Sequence, residues 1–66
     1  MQCVDHLGFL IGLGFGATNP GLSENAAKLE AAELAQAMFP GNFERRYAVA
    51  YCLAFLRGWR FSRGEK

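Results

Sequence analysis

The chain has 66 residues, of which 52% are hydrophobic and 14% aromatic, and its formal net charge is +1. This length allows a single domain over residues 1–66, and the high apolar content excludes a chain that is disordered throughout. The charges are unevenly placed, because residues 1–44 carry a net −4 and residues 45–66 a net +5. Such an asymmetry is typical either of an interaction surface or of two halves that neutralise each other in the fold.

The cysteines and the apolar runs bear on the cellular compartment. Cys3 and Cys52 are too few for the disulfide framework of a small secreted domain. No Lys or Arg precedes the first apolar run, so a signal peptide is not predicted. The runs Leu7–Ala17 and Tyr47–Leu56 are each about half of the roughly 20 residues that cross a bilayer. We therefore expect a cytoplasmic protein that does not enter the membrane.

The N-terminal segment is rich in glycine. Three glycines recur at every fourth position and so share one face of a helix: Gly8, Gly12 and Gly16. Each costs roughly 1 kcal/mol relative to alanine inside a helix, so a helix here needs close packing against a neighbour. We predict a helix from Val4 to about Gly14 and a turn at the Asn-Pro-Gly sequence of residues 19–21. A strand over Leu7–Ile11 is the alternative.

The middle of the chain carries the clearest helix signal. Ser23 is a favourable N-cap, and Glu24 follows in the first turn, where the helix dipole favours a negative charge. Strong helix formers continue to Met38, and Pro40-Gly41 cannot extend the helix. One face of this helix is predicted to be apolar: Ala27, Ala31, Leu34 and Met38.

A third helix is predicted with Asn42 as its N-cap and its end near Phe61. Five aromatic residues recur at every fourth position and are predicted to be core: Phe43, Tyr47, Tyr51, Phe55 and Trp59. Beside them runs a lane of small residues: Ala50, Ala54 and Gly58. We expect this lane to pack against the glycine lane of the first helix, since small residues let helix backbones approach closely. Packing of the glycine lanes of two copies is the alternative.

These elements predict an all-α fold, a small three-helix bundle with a glycine-rich N-terminal helix. The sequence offers no constellation for catalysis or metal binding. His6 has only Cys3 and Asp5 near it in the chain, whereas a structural zinc site needs four ligands. Cys52 lies in an apolar stretch, where a cysteine acts as a small hydrophobic residue. We predict that the protein is not an enzyme and holds neither a metal nor a cofactor.

The side of the third helix opposite the aromatic residues combines apolar and basic side chains. An apolar centre bordered by arginine is the composition of a protein interface. The predicted interface has seven residues: Arg45, Arg46, Val49, Leu53, Leu56, Arg57 and Arg60. The alternative is a central third helix with both faces covered by the other two. We predict a module that binds another protein, as an adaptor, inhibitor or regulator acting by occlusion. Self-association into a homodimer through the same patch is a further expectation.

The C-terminal segment indicates a second function. Its cations suit phosphates and its aromatic rings suit stacked bases, so it is a candidate for binding RNA or DNA. The residues expected to bind nucleic acid are Arg57, Trp59, Arg60, Arg63 and Lys66. The sequence Leu-Arg-Gly-Trp-Arg at residues 56–60 resembles the Gly-Trp-Arg segment of ribosome modulation factors. The resemblance covers these five residues and nothing upstream, so it assigns no family.

Overall fold

A computed structural model describes residues 4–64 of the chain. It has three helices, α1 (Val4–Thr18), α2 (Glu24–Met38) and α3 (Arg45–Ser62), with a 3-10 turn at Asn42–Glu44 before α3. The described residues contain no strand, so the all-α prediction is confirmed and the strand alternative for residues 7–11 is wrong. Between residues 4 and 64, no helix has the length and apolar character needed to cross a membrane.

α3 is the central helix of the bundle. Both α1 and α2 pack on α3, and they contact each other much less. The core cluster combines two alanines of α2 with two aromatic residues of α3: Ala31, Ala35, Tyr51 and Phe55. From α1, the ring of Phe15 joins it at 5.4 Å from the ring centre of Phe55. The third helix is therefore central in the packing, but the alternative that both of its faces are covered is wrong, because Val49 and Leu53 are exposed.

α1 approaches α3 closely along its glycine lane. All three glycines of the lane are buried in this contact: Gly8, Gly12 and Gly16. A Cβ atom added to any of them would collide with α3, and one added to Gly58 would collide with the backbone of Phe9 in α1. Ala54 lies beside the first glycine, while Ala50 is only half-buried. The predicted packing of the two small-residue lanes within one chain is confirmed.

α1 is longer than predicted. It ends at Thr18 instead of Gly14, because Gly16 continues the contact with α3 for another turn. The Thr18 hydroxyl donates a hydrogen bond to the Gly14 carbonyl oxygen at 3.0 Å, and the Asn19 side-chain amide donates to the Phe15 carbonyl oxygen at 3.0 Å. The Phe15 carbonyl oxygen also accepts the Asn19 backbone N–H at 3.0 Å, so side-chain bonds reinforce the backbone bonds of the last turn of α1.

α2 has the predicted bounds. The Ser23 hydroxyl oxygen accepts a hydrogen bond from the Ala26 backbone N–H at 3.2 Å, which caps the first turn. Its buried face consists of alanines: Ala27, Ala31 and Ala35. Met38, the last residue of the helix, was expected on this face but is exposed.

α3 begins later than predicted. Asn42 is not its N-cap but the first residue of the 3-10 turn. The Glu44 carboxylate accepts a hydrogen bond from the Gly41 backbone N–H at 3.2 Å and closes this turn. The regular α-helix therefore starts at Arg45.

Only the last three aromatic residues of the predicted stripe belong to the core. Tyr51, Phe55 and Trp59 are completely buried. Phe43 is 97% exposed and Tyr47 is about half exposed, so the expectation that all five are core was wrong. Phe43 lies in the 3-10 turn, outside the helix whose periodicity would have turned it inward.

Candidate functional site

An open groove lies between the second half of α2 and the first half of α3, which we call the α2–α3 groove. It encloses about 580 Å³. Its apolar walls come from both helices and from the residue that ends α2: Ala32, Ala35, Phe39, Ala48, Val49 and Leu53. Three of the twelve lining residues are alanines, whose single methyl groups fill little of the space between the two helices. Larger side chains at these alanine positions would fill the space between α2 and α3.

Val49 and Leu53 form the exposed edge of the groove on α3. They are four residues apart and therefore neighbours on one helix face. Val49 is 53% exposed and Leu53 is 60% exposed. Leu56, which was predicted to share this patch, is half-buried. The exposed apolar centre is thus a pair of residues that continues into the groove.

Arginines border this pair, and we call Arg45, Arg46 and Arg57 the arginine rim. Arg45 lines the groove itself. Arg46 and Arg57 are exposed on the same side of α3 as Leu53. Within residues 4–64, no carboxylate oxygen lies within 4 Å of any of these three guanidinium groups. The rim is therefore a set of solvated positive charges.

Arg60, the fourth predicted interface arginine, contacts α2 instead. Its guanidinium lies 3.4 Å from a Glu24 carboxylate oxygen, which is also 3.4 Å from the Lys28 ammonium. Hydrogen bonds from Arg60 and then from Lys28 hold the pKa of Glu24 below its usual value of 4.5. Arg60 thus joins the start of α2 to the last turn of α3.

Cys52 is a residue of α3 that lines the groove and faces α2. Its thiol donates a hydrogen bond to the Ala31 carbonyl oxygen at 3.4 Å. Burial raises the pKa of this thiol above its usual value, since the apolar surroundings disfavour the thiolate. Between residues 4 and 64, no three side chains of metal-binding type lie together.

Among residues 4–64, the residues predicted to bind nucleic acid do not share one free surface. Trp59 is 1% exposed, so its ring has no free face for a base. The Arg63 guanidinium lies 4.7 Å from the centre of the Trp59 ring and donates a hydrogen bond to the Leu22 carbonyl oxygen at 3.3 Å. Arg57 is exposed, and Lys66 lies outside the described residues.

Sequence reasoning found the α3 side of the groove and missed the α2 side. Gln36 and Phe39 of this second wall were not predicted to belong to a site. A signal was present in the alanine content of α2, because a helix with few large side chains leaves space beside any helix it packs on. No protein family, no curated protein and no solved structure matches this chain.

Proposed function

We propose that this chain is a non-enzymatic protein-binding module whose binding surface is the α2–α3 groove with the exposed Val49–Leu53 pair. The observation that carries the proposal is this exposed pair at the edge of an open apolar groove. A partner that covers these side chains binds more favourably, because apolar surface is removed from water. The module would act by occlusion as an adaptor, inhibitor or regulator, in the cytoplasm that the sequence predicts.

The composition of the surface supports a protein partner. Its centre is apolar and its border is cationic, and arginine is enriched at protein interfaces. Nucleic-acid binding has less support, since Trp59 is buried and Arg60 and Arg63 are engaged within the chain. A second copy of the chain is the other protein partner expected from the sequence, and it would compete for the same pair.

The test compares two leucine substitutions of the same kind. Leu53→Glu places a charge in the exposed Val49–Leu53 pair, where an uncompensated charge is costly once a partner excludes water. Leu29→Glu is the matched control, because Leu29 is 69% exposed on α2 and does not line the groove. Both variants should fold, since both side chains face solvent and glutamate is a strong helix former.

The measurement is capture of cellular proteins on the immobilised chain, with and without nuclease, followed by titration of the captured partner. We expect a nuclease-resistant partner that binds the wild type and Leu29→Glu but not Leu53→Glu. The proposal is wrong if Leu53→Glu folds and retains every captured protein. Partners that all disappear on nuclease treatment would instead support the nucleic-acid alternative.

A further inference from the structure

We infer that the partner segment in the α2–α3 groove is an amphipathic α-helix with large apolar side chains on one face and acidic residues on the flank that lies against the arginine rim of α3. This inference rests on the proposed function and names the chemistry of the ligand. Three properties carry it: the alanines that line the groove, the helical backbone of its two walls, and an arginine rim that has no carboxylate partner within residues 4–64.

The small residues of the walls define the side chains that the ligand supplies. Ala32 and Ala35 of α2 face the groove, as does Ala48 of α3. Their methyl groups leave space for large apolar side chains to enter from a ligand, which would then also cover Val49 and Leu53. Large residues spaced at i, i+4 and i+7 on a helix form such a row.

The backbone of the walls decides the secondary structure of the ligand. Both walls of the groove are mainly helical, with backbone N–H and C=O groups bonded within their own helices. They offer no strand edge to an extended peptide, whose own backbone groups would lose water without gaining partners. A helical ligand satisfies these groups internally and buries only its side chains.

The arginine rim decides the charge of the ligand. Arg46 and Arg57 are separated by about three turns, or about 17 Å along the axis of α3, and both are exposed. Arg45 lines the groove, and the lining residues include no carboxylate. All three cations belong to α3, so a ligand with acidic residues on the flank toward α3 would pair with them, whereas a ligand with basic residues there would meet three like charges.

A second copy of the chain matches this description poorly. The exposed face of α1 contains Leu10 and Ile11 but carries no charge between residues 7 and 17. The outer face of α2 has nearby acids at Glu30 and Glu33, but the exposed large apolar residues of α2, Leu29 and Met38, lie on opposite sides of the helix and form no row. Within the described residues, no exposed helix face combines a row of large apolar side chains with acidic flanks.

The experiment titrates the full chain with two labelled peptides and measures fluorescence anisotropy. Each peptide has about 18 residues, long enough for several helical turns, with leucine in an i, i+4, i+7, i+11 row. One carries glutamate at the flanking positions, and the other carries lysine at the same positions. The proteins are the wild type, Leu53→Glu, the control Leu29→Glu, and a variant with Arg46→Glu and Arg57→Glu together.

We expect the glutamate peptide to bind the wild type and Leu29→Glu alike. Its affinity should fall by about tenfold or more with Leu53→Glu and with the double arginine variant. The lysine peptide should bind the wild type more weakly than the glutamate peptide and should gain affinity for the double arginine variant, because the sign of the rim is then reversed.

Three outcomes would overturn the inference. The first is equal binding of both peptides to the wild type, and the second is no saturation by the glutamate peptide up to about 1 mM. The third is a concentration-dependent mass of the wild type in sedimentation that Leu53→Glu abolishes, which would assign the groove to a second copy. Protein binding at the groove is judged separately, by whether Leu53→Glu loses the cellular partner.

Discussion

Gly12 of α1 lies directly against the backbone of Phe55 in α3, so close that a Cβ atom at position 12 would overlap with the Phe55 carbonyl group. A backbone atom cannot rotate away as a side chain can. The two helices would therefore have to separate to accommodate any residue larger than glycine. Gly14, on the same helix, has nothing within 4 Å of the position its Cβ atom would occupy.

This pair of glycines gives opposite predictions for the same substitution. Gly12→Ala should lower the free energy of unfolding by about 1–3 kcal/mol, because it overpacks the contact between α1 and α3. Gly14→Ala should raise it by about 0.5–1 kcal/mol, because alanine favours a helix and has free space here. Denaturant unfolding monitored by circular dichroism measures both. Equal effects of the two substitutions would contradict the packing described for α1.

The aromatic residues of the 3-10 turn and of α3 should differ sharply in their contribution to stability. Phe55→Ala should cost about 3–5 kcal/mol, since it empties the centre of the core. That is much of the roughly 3–10 kcal/mol expected for a domain of this size. Phe43→Ala should change stability by less than about 0.5 kcal/mol, because the ring is in solvent. The fluorescence of Trp59, which is buried, reports the unfolding of both variants.

The pairing of Glu24 with Arg60 predicts a pH dependence in acid. Since the folded state lowers the pKa of Glu24, its ion pairs stabilise the fold above pH 4.5 and lose this effect as the pH falls through the lowered pKa. Glu24→Gln and Arg60→Met should each reduce the loss of stability below pH 4.5, as measured by denaturant unfolding at several pH values. The difference should be smaller at high salt, because these side chains are about half exposed. A wild-type acid response retained in both variants would contradict the prediction.

The Cys52 thiol should react slowly for a cysteine. Burial raises its pKa, which lowers the fraction of reactive thiolate at neutral pH, and the neighbouring α2 restricts access to the sulfur. In a Cys3→Ser background, alkylation by iodoacetamide at neutral pH should be several-fold slower for the folded chain than for the chain in denaturant. A ligand in the α2–α3 groove should slow it further. Equal rates in both conditions would place the thiol outside the groove wall.

The elements that local chemistry determines were predictable from the sequence, and α2 is the clearest case. Its start depends on Ser23, whose hydroxyl oxygen bonds the N–H of Ala26 three residues later, and its end on the following Pro40. The end of α1 was not predictable in this way. Gly14 is locally a poor helix residue, but the next turn stays helical because Gly16 packs on α3.

The candidate site was predictable only in part, because two helices form it. The spacing of Val49 and Leu53 on α3 was visible in the sequence, as were the arginines beside them. The groove also needs α2 at one particular place on α3, which depends on how Ala31 and Ala35 pack against Tyr51 and Phe55. No local pattern encodes that relative position.

The glycine lane has a consequence for how the chain folds during its synthesis. Because α1 carries four glycines among fifteen residues, it has little tendency to be helical without α3 beside it. The ribosome makes α1 before α3, so residues 4–18 lack their packing partner until residues 45–62 have been made. We expect a nascent chain arrested before Arg45 to be cut by protease within residues 7–17, and one extended past Ser62 to resist cleavage there. Of the three helices, α1 is then made first but becomes helical only after α3 is complete.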